Sequence, residues 1–271
     1  MKLQTNVIGV CTTTKCTLNC RYCVFAIPRF RRDDISYVAT IPELKASFEA
    51  LFDIYEYIGM ICLSGGEILM WGDKKISELL LYLEKYKRSF SRIRLVTNGT
   101  IVLPNELISI IKQLCYDFEI WIDDYGIHSP KAHAISNILH ANEIKYRYAV
   151  YHGESQLYGG WMNIAGDLKN KNYSCDELKK IYADCHASKE NCLWMMNGKL
   201  YPCAQVSLVE IFNGIQDTEH VVPLTDMSIP VEMKISIASR FLKEHPIACN
   251  YCNGMNTDKA VRFPAAEQEV R

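Results

Sequence analysis

Between Asn6 and Val150, short apolar runs alternate five times with stretches of helical period, and this alternation most restricts how the chain can fold. Asn6–Val10, Met60–Leu63, Ile93–Thr97, Phe118–Ile122 and Tyr146–Val150 read as strands. The spacing between them predicts helices. The first follows Thr40 and carries Leu44, Phe48, Leu51, Phe52 and Tyr55; the others are Ile76–Tyr86, Leu107–Cys115 and Lys131–His140. Thr40 and Glu43 have capping-box spacing, and Gly59 reads as the stop of the first helix. Strands joined by helices return to the same edge, so the sheet is expected to be parallel. A full eight-unit barrel takes about 250 residues. Five units here predict an α/β fold with a partial (β/α) barrel spanning residues 1–152.

Residues 153–271 change character. His152–Asn172, with its Gly159-Gly160 pair, reads as a long connection. Ser174 and Glu177 predict the start of a helix over Asp176–Asp184. Cys192–Met196 and Lys199–Cys203 are joined by Asn197-Gly198, the strongest short hairpin signal. An amphipathic helix is expected near Val231–Lys243. This half therefore reads as a linker and a small β-hairpin/helix domain.

Composition excludes several classes. With 49% hydrophobic and 23% charged residues the chain can bury a core, unlike a disordered tail. A net charge of −1 lacks the basic excess of a dedicated nucleic-acid binder. Ile58–Leu63 and Leu79–Leu83 are too short to span a bilayer, and the first residues lack a secretory pattern, so no membrane role and a cytoplasmic location are expected. In a reducing compartment, the 12 cysteines are more readily metal ligands than disulfides.

Cys16, Cys20 and Cys23 form a C-x3-C-x2-C pattern just after the first strand, at the sheet edge where α/β barrels build their sites. Three thiolates can hold an iron–sulfur cube and leave one iron open. A zinc knuckle completed by Cys11 and three structural cysteines are the alternatives. This segment, with Tyr22 before its last cysteine, resembles the signature of radical S-adenosylmethionine (SAM) enzymes. Ser64-Gly65-Gly66-Glu67 after the second strand and Thr97-Asn98-Gly99 after the third strengthen that resemblance, which covers roughly residues 5–150.

The resemblance implies that Cys16, Cys20 and Cys23 hold a 4Fe-4S cluster whose open iron binds SAM, which is cleaved to a 5′-deoxyadenosyl radical. It also implies cofactor-binding roles for Tyr22, Ser64, Gly65, Gly66, Glu67, Thr97 and Asn98. Gly65 and Gly66 would let backbone approach the methionine amine, Glu67 would offer a carboxylate near that amine or the sheet edge, and Tyr22 would place a ring beside the cluster or adenine. An electron donor such as flavodoxin or ferredoxin is implied as partner.

Cys185, Cys203, Cys249 and Cys252 form a second pattern around Gly198. It resembles the SPASM/Twitch auxiliary-cluster region, in the shorter Twitch form, and implies a second 4Fe-4S cluster; a structural zinc site is the alternative. Cys62 and Cys115 read as small core residues, while Cys192 or Cys175 would suit a hydrogen-atom donor. Cys192 is also an alternative ligand to Cys185.

Size and cysteine plan are similar to those of the 2-deoxy-scyllo-inosamine dehydrogenases. The resemblance implies dehydrogenation of a carbohydrate or aminocyclitol-like alcohol. Sugar epimerisation and epimerisation or crosslinking of a short peptide are the alternatives. Candidate catalytic residues are Asp123 at the end of the fourth strand, Arg147 in the fifth if its register faces inward, and Cys192. Asp124 and His152 lie nearby, and Arg29, Arg31 and Arg32 are either an anion site or a solvated face.

Overall fold

The computed structural model describes residues 1–157, 161–241, 243–256 and 261–269; the Gly159-Gly160 pair and Leu242 lie outside these. The five strand–helix units are present. β1 (Leu3–Thr13) leads through a short α1 (Ile27–Arg32) into α2 (Ile41–Ile54). β2 (Tyr55–Gly65), α3 (Asp73–Leu83), β3 (Phe90–Thr97), α4 (Asn105–Ile111), β4 (Asp117–Asp124), α5 (Ala132–Ala141) and β5 (Tyr146–Val150) follow. Then come α6 (Cys175–Asp184), α7 (His186–Lys189), β6 (Cys192–Met196), β7 (Lys199–Tyr201), α8 (Ala204–Asn213), β8 (Val222–Pro223) and α9 (Val231–Ala238).

One sheet runs in the order β5-β4-β3-β2-β1-β6-β7-β8. β1 to β5 pair in parallel, as the crossovers require. β6 joins β1 in parallel, with Val7 opposite Cys192 and Gly9 opposite Trp194. The Asn197-Gly198 turn then folds β7 back antiparallel on β6, and both turn residues adopt the positive φ such a turn needs. The expected hairpin therefore extends the barrel sheet. β5 and β8 remain at opposite edges, so the barrel is partial and open.

Strand alternation divides the sheet into two faces. Ile8, Val10, Ile61, Leu63, Ile93, Leu95, Ile120 and Ile122 enter the main core with Leu44, Phe48 and Leu51 of α2 and Leu79, Leu80 and Leu83 of α3. The opposite, interior face carries Gly9, Cys62, Arg94, Glu119, Trp121 and Asp123. Arg147 pairs with Trp121, so it faces the interior.

Several local expectations change. Thr40 caps α2 by accepting from the Glu43 amide at 3.3 Å, but the Glu43 carboxylate accepts from the Tyr37 hydroxyl, which leaves half of a capping box. Ser174 and Glu177 form the complete box at α6. Gly59 does not stop a helix. It lies within β2, where a Cβ would come within 2.6 Å of the Asn6 carbonyl oxygen. α9 ends at Ala238, short of the expected Lys243. No helix among the described residues is long and apolar enough to cross a membrane.

Candidate active site

The loop after β1 carries Cys16, Cys20 and Cys23 to the C-terminal edge of the sheet. Their thiols line a cavity of about 230 Å³ with Tyr22, Ser64, Gly65, Gly66 and Asn98. Burial pushes the Cys16 thiol up to about 11 and that of Cys20 up to about 12, with mutual repulsion adding to both. Burial also raises Cys23. Three crowded thiols that resist ionisation alone suit a cationic group that stabilises the thiolates together.

The loop is fastened from several sides. The Asn98 amide donates to Cys16 Sγ at 3.5 Å and to Thr17 Oγ1 at 3.0 Å. Arg31 donates to the Cys16 carbonyl and, at 3.2 Å, to Asn19 Oδ1. Arg32 pairs with Glu269 and Arg29 with Asp33, so each of the three arginines has a partner in the chain itself.

The glycine turn is needed by this same loop. A Cβ at Gly66 would lie 2.1 Å from the Lys15 carbonyl oxygen, and Gly65 has φ +125 with Thr13 against it. The Gly66 and Glu67 amides donate to the carbonyls of Thr13 and Lys15 at 2.7 and 2.9 Å. Close approach is thus already required by the chain itself, before any ligand is considered.

Of the two places expected for the Glu67 carboxylate, it does not take the one beside the cavity. Its side chain is wholly buried and accepts from the amides of Leu69 and Asn98 and from the Thr97 hydroxyl. Burial raises its pKa against these bonds. Glu67 and Thr97 therefore clamp the turns after β2 and β3 together behind the cavity wall. The Tyr22 ring packs on Phe263 with centroids 4.0 Å apart.

Asp123 faces the same cavity. Its Oδ2 accepts from Tyr125 Oη at 3.3 Å, while Oδ1 is sealed from solvent and has no partner. Burial pushes its pKa up to about 7, against the lowering pull of Arg147 and Arg94. Tyr125, Tyr151 and Trp161 form an aromatic wall beside it. Asp124 lies on the other face of β4, bonded to Tyr148 and His152. Arg147 is exposed, with its guanidinium 4.4 Å above the Trp121 ring, and lines neither cysteine cavity.

Cys185, Cys203, Cys249 and Cys252 meet around a second cavity of about 300 Å³. Cys185 follows α6, Cys203 lies between the ribbon and α8, Cys249 sits in a short turn over Ile247–Tyr251 and Cys252 comes just after it. Burial pushes Cys203 up to about 11 and Cys252 up to about 12, with the neighbouring thiols adding to both. A mononuclear zinc site needs its sulfurs about 2.3 Å from one point. Among the described residues no group of three or more His, Cys, Asp or Glu side chains converges on a single ion. Three thiols at the first cavity and four at the second are donor sets that a 4Fe-4S cube accepts, and four thiols also suit zinc.

The two cavities adjoin. Val24, Phe25 and Ser64 line both. Phe25 stacks on Trp194 with centroids 4.7 Å apart, and Trp194 occupies the space left by the missing side chain of Gly9. Cys192 and Cys62 line the second cavity, each pushed up to about 11 by burial. Cys62 is thus no core residue; in an exact alternation of faces it follows Met60 and precedes Ser64, a pattern visible in the sequence once the register is known. Cys115 is exposed after α4, and Cys175 is exposed at the start of α6 and lines neither cavity. Cys175 therefore does not sit as a solvent-poor hydrogen donor.

Residues 10–120 match the Radical SAM superfamily profile. No curated protein matches the chain. The solved structure "Native anSMEcpe with bound AdoMet and Kp18Cys peptide" aligns over 95% of this chain and 93% of that one, at 13% identity and a TM-score of 0.50. "Native anSMEcpe with bound AdoMet and Cp18Cys peptide" covers 52% of this chain at 16% identity and a TM-score of 0.41, and this chain spans 42% of that one's length. SuiB of Streptococcus suis bound to S-adenosylmethionine covers 74% of this chain and 58% of its own, at 12% identity and a TM-score of 0.39. At such identities the likeness concerns fold alone. The three-cysteine loop, the glycine turn and Asn98 all fall within the matched segment.

Proposed function

We propose that the protein is a radical SAM enzyme that dehydrogenates an alcohol carbon of a carbohydrate or aminocyclitol-like substrate. The observation that carries this reading is Asp123, a carboxylate that lines the cavity of the three-cysteine loop and whose Oδ1 has no hydrogen-bond partner. When bound at Cys16, Cys20 and Cys23, the cluster and SAM supply a 5′-deoxyadenosyl radical that abstracts a hydrogen atom from carbon. Asp123 accepts the hydroxyl proton, and a pKa near 7 suits that transfer. Cys185, Cys203, Cys249 and Cys252 hold an auxiliary cluster, which fits the removal of the remaining electron. Ser64, Gly65, Gly66 and Asn98 line the cavity where SAM would be held, and Tyr125, Tyr151 and Trp161 offer an apolar wall to a ring. Flavodoxin or ferredoxin would supply the starting electron, and cysteines free of disulfides accord with a cytoplasmic setting.

The test is anaerobic reconstitution followed by metal analysis and assay with SAM. About eight irons per chain and formation of 5′-deoxyadenosine are expected. Zinc alone would overturn the reading. A product lacking two hydrogens supports dehydrogenation. Epimerisation of a sugar or peptide residue is the second reading, favoured by the Cys62 and Cys192 thiols in the second cavity. Solvent deuterium at carbon, in a product of otherwise unchanged composition, would establish that reading instead.

A further inference from the structure

The loop from Cys16 to Cys23 has almost no regular structure of its own, yet residues from the far end of the sequence run alongside it. Cys20 and Gln268 form an antiparallel bridge. The Arg21 amide donates to the Glu267 carbonyl at 2.7 Å, and the Glu269 amide donates to the Asn19 carbonyl at 2.8 Å. Ion pairs join Arg21 to Glu267 and Arg32 to Glu269 at 3.5 and 2.9 Å. Ala266 is completely buried against Leu18 and Cys20. The segment is itself anchored at Phe263 and Ala265, whose amides donate to the carbonyls of Trp161 and Gln156, both at 3.0 Å.

Gln268 does more than close this strap. Its Oε1 accepts from the Asn19 amide at 2.7 Å. That bond settles which way the carboxamide faces and turns Nε2 toward the cysteines. Nε2 donates to Cys20 Sγ at 3.3 Å and to the Ala266 carbonyl at 2.6 Å. Every polar atom of the side chain has a partner, and one partner is a candidate ligand sulfur.

We propose that residues 262–269 are a strap over the three-cysteine loop and that Gln268 is a positioning residue whose N–H, held on Cys20 Sγ, raises the reduction potential of the cluster bound there. This rests on the proposed function, because it takes Cys20 as a cluster ligand. A hydrogen bond to a ligand sulfur favours the more negative, reduced cluster. A solvent-shielding strap alone would act in the opposite direction, so the sign separates the two roles.

The experiment is a redox titration of the reconstituted full chain, followed by electron paramagnetic resonance, for wild type, Gln268→Leu, Gln268→Glu and Arg32→Ala. Wild type that binds no iron at the Cys16 loop overturns the proposed function itself. With wild type loaded, Gln268→Leu is expected to lower the ratio of reduced to oxidised cluster at fixed potential by up to about tenfold, and tenfold is 59 mV for one electron. Gln268→Glu keeps the Asn19 bond, loses the N–H and lowers the ratio further. Arg32→Ala cuts the strap's ion pair away from sulfur and leaves the potential in place. An unchanged potential in the loaded Gln268 variants would sink the tuning role alone. Failure of both variants to hold iron would also overturn it, since Gln268 would then be needed only for holding the cluster.

Discussion

The two cysteine sites solve the same chemical problem in different ways. The first takes its three thiols from one loop of eight residues, Cys16 to Cys23, and borrows rigidity from Asn98, Arg31 and residues 267–269. The second takes four thiols from the ends of separate elements: Cys185 after α6, Cys203 before α8, and Cys249 and Cys252 within and just after a turn over Ile247–Tyr251. A site concentrated in one loop needs braces from outside; a site dispersed over several elements is braced by the fold that assembles it.

Breaking each site should therefore have different consequences. Cys20→Ala is expected to have the largest effect. It removes a ligand of the first cluster and should reduce 5′-deoxyadenosine formation to background, read by chromatography. Cys249→Ala should leave SAM cleavage in place, lower iron from about eight to about four per chain and abolish substrate oxidation. Loss of SAM cleavage in Cys249→Ala would erase the distinction between the sites.

Asp123→Asn comes next, with product formation down about 10²–10⁴-fold while 5′-deoxyadenosine persists. It also has a signature in stability. Burial raises the folded-state pKa of Asp123 from 3.8 to about 7, so the folded state binds more protons across that interval. Stability falls as pH rises through it. The variant should therefore gain over wild type above pH about 7, by at most on the order of 4 kcal/mol, and gain nothing below pH about 4. Chemical denaturation at both extremes reads the difference.

Glu67→Ala leaves the half-buried amides of Leu69 and Asn98 and the buried Thr97 hydroxyl without their acceptor and should cost about 3 kcal/mol. Thermal denaturation measures it, and the first site should suffer before the second. Cys175→Ser, at an exposed position outside both cavities, should change stability by less than about 0.5 kcal/mol and leave iron content and turnover as they are.

The contrast between the sites also governs what could be read from the sequence. Cys16, Cys20 and Cys23 announce themselves by spacing, and β5 falls where its apolar run places it, because both are local patterns. Asn197-Gly198 locates the ribbon, yet nothing local says that Cys192 will stand opposite Val7, since that pairing is made across the whole sheet. For Glu67 the resemblance leaves the ligand amine and the sheet edge open, because the groups that occupy its carboxylate, Thr97 and the Asn98 amide, arrive from another turn. Gln268 was illegible for the same reason. Residues 262–269 have no periodicity, and their partner sulfur lies 248 positions away.

That separation has a consequence in time. Arg21 leaves the ribosome 246 residues before Glu267. At about 5–20 residues per second, the interval is on the order of ten seconds to a minute. Throughout it the cysteine loop exists without its strap, its thiols open to stray metal ions and oxidants. For this chain, the order in which synthesis, strap closure and iron delivery occur is part of making the site.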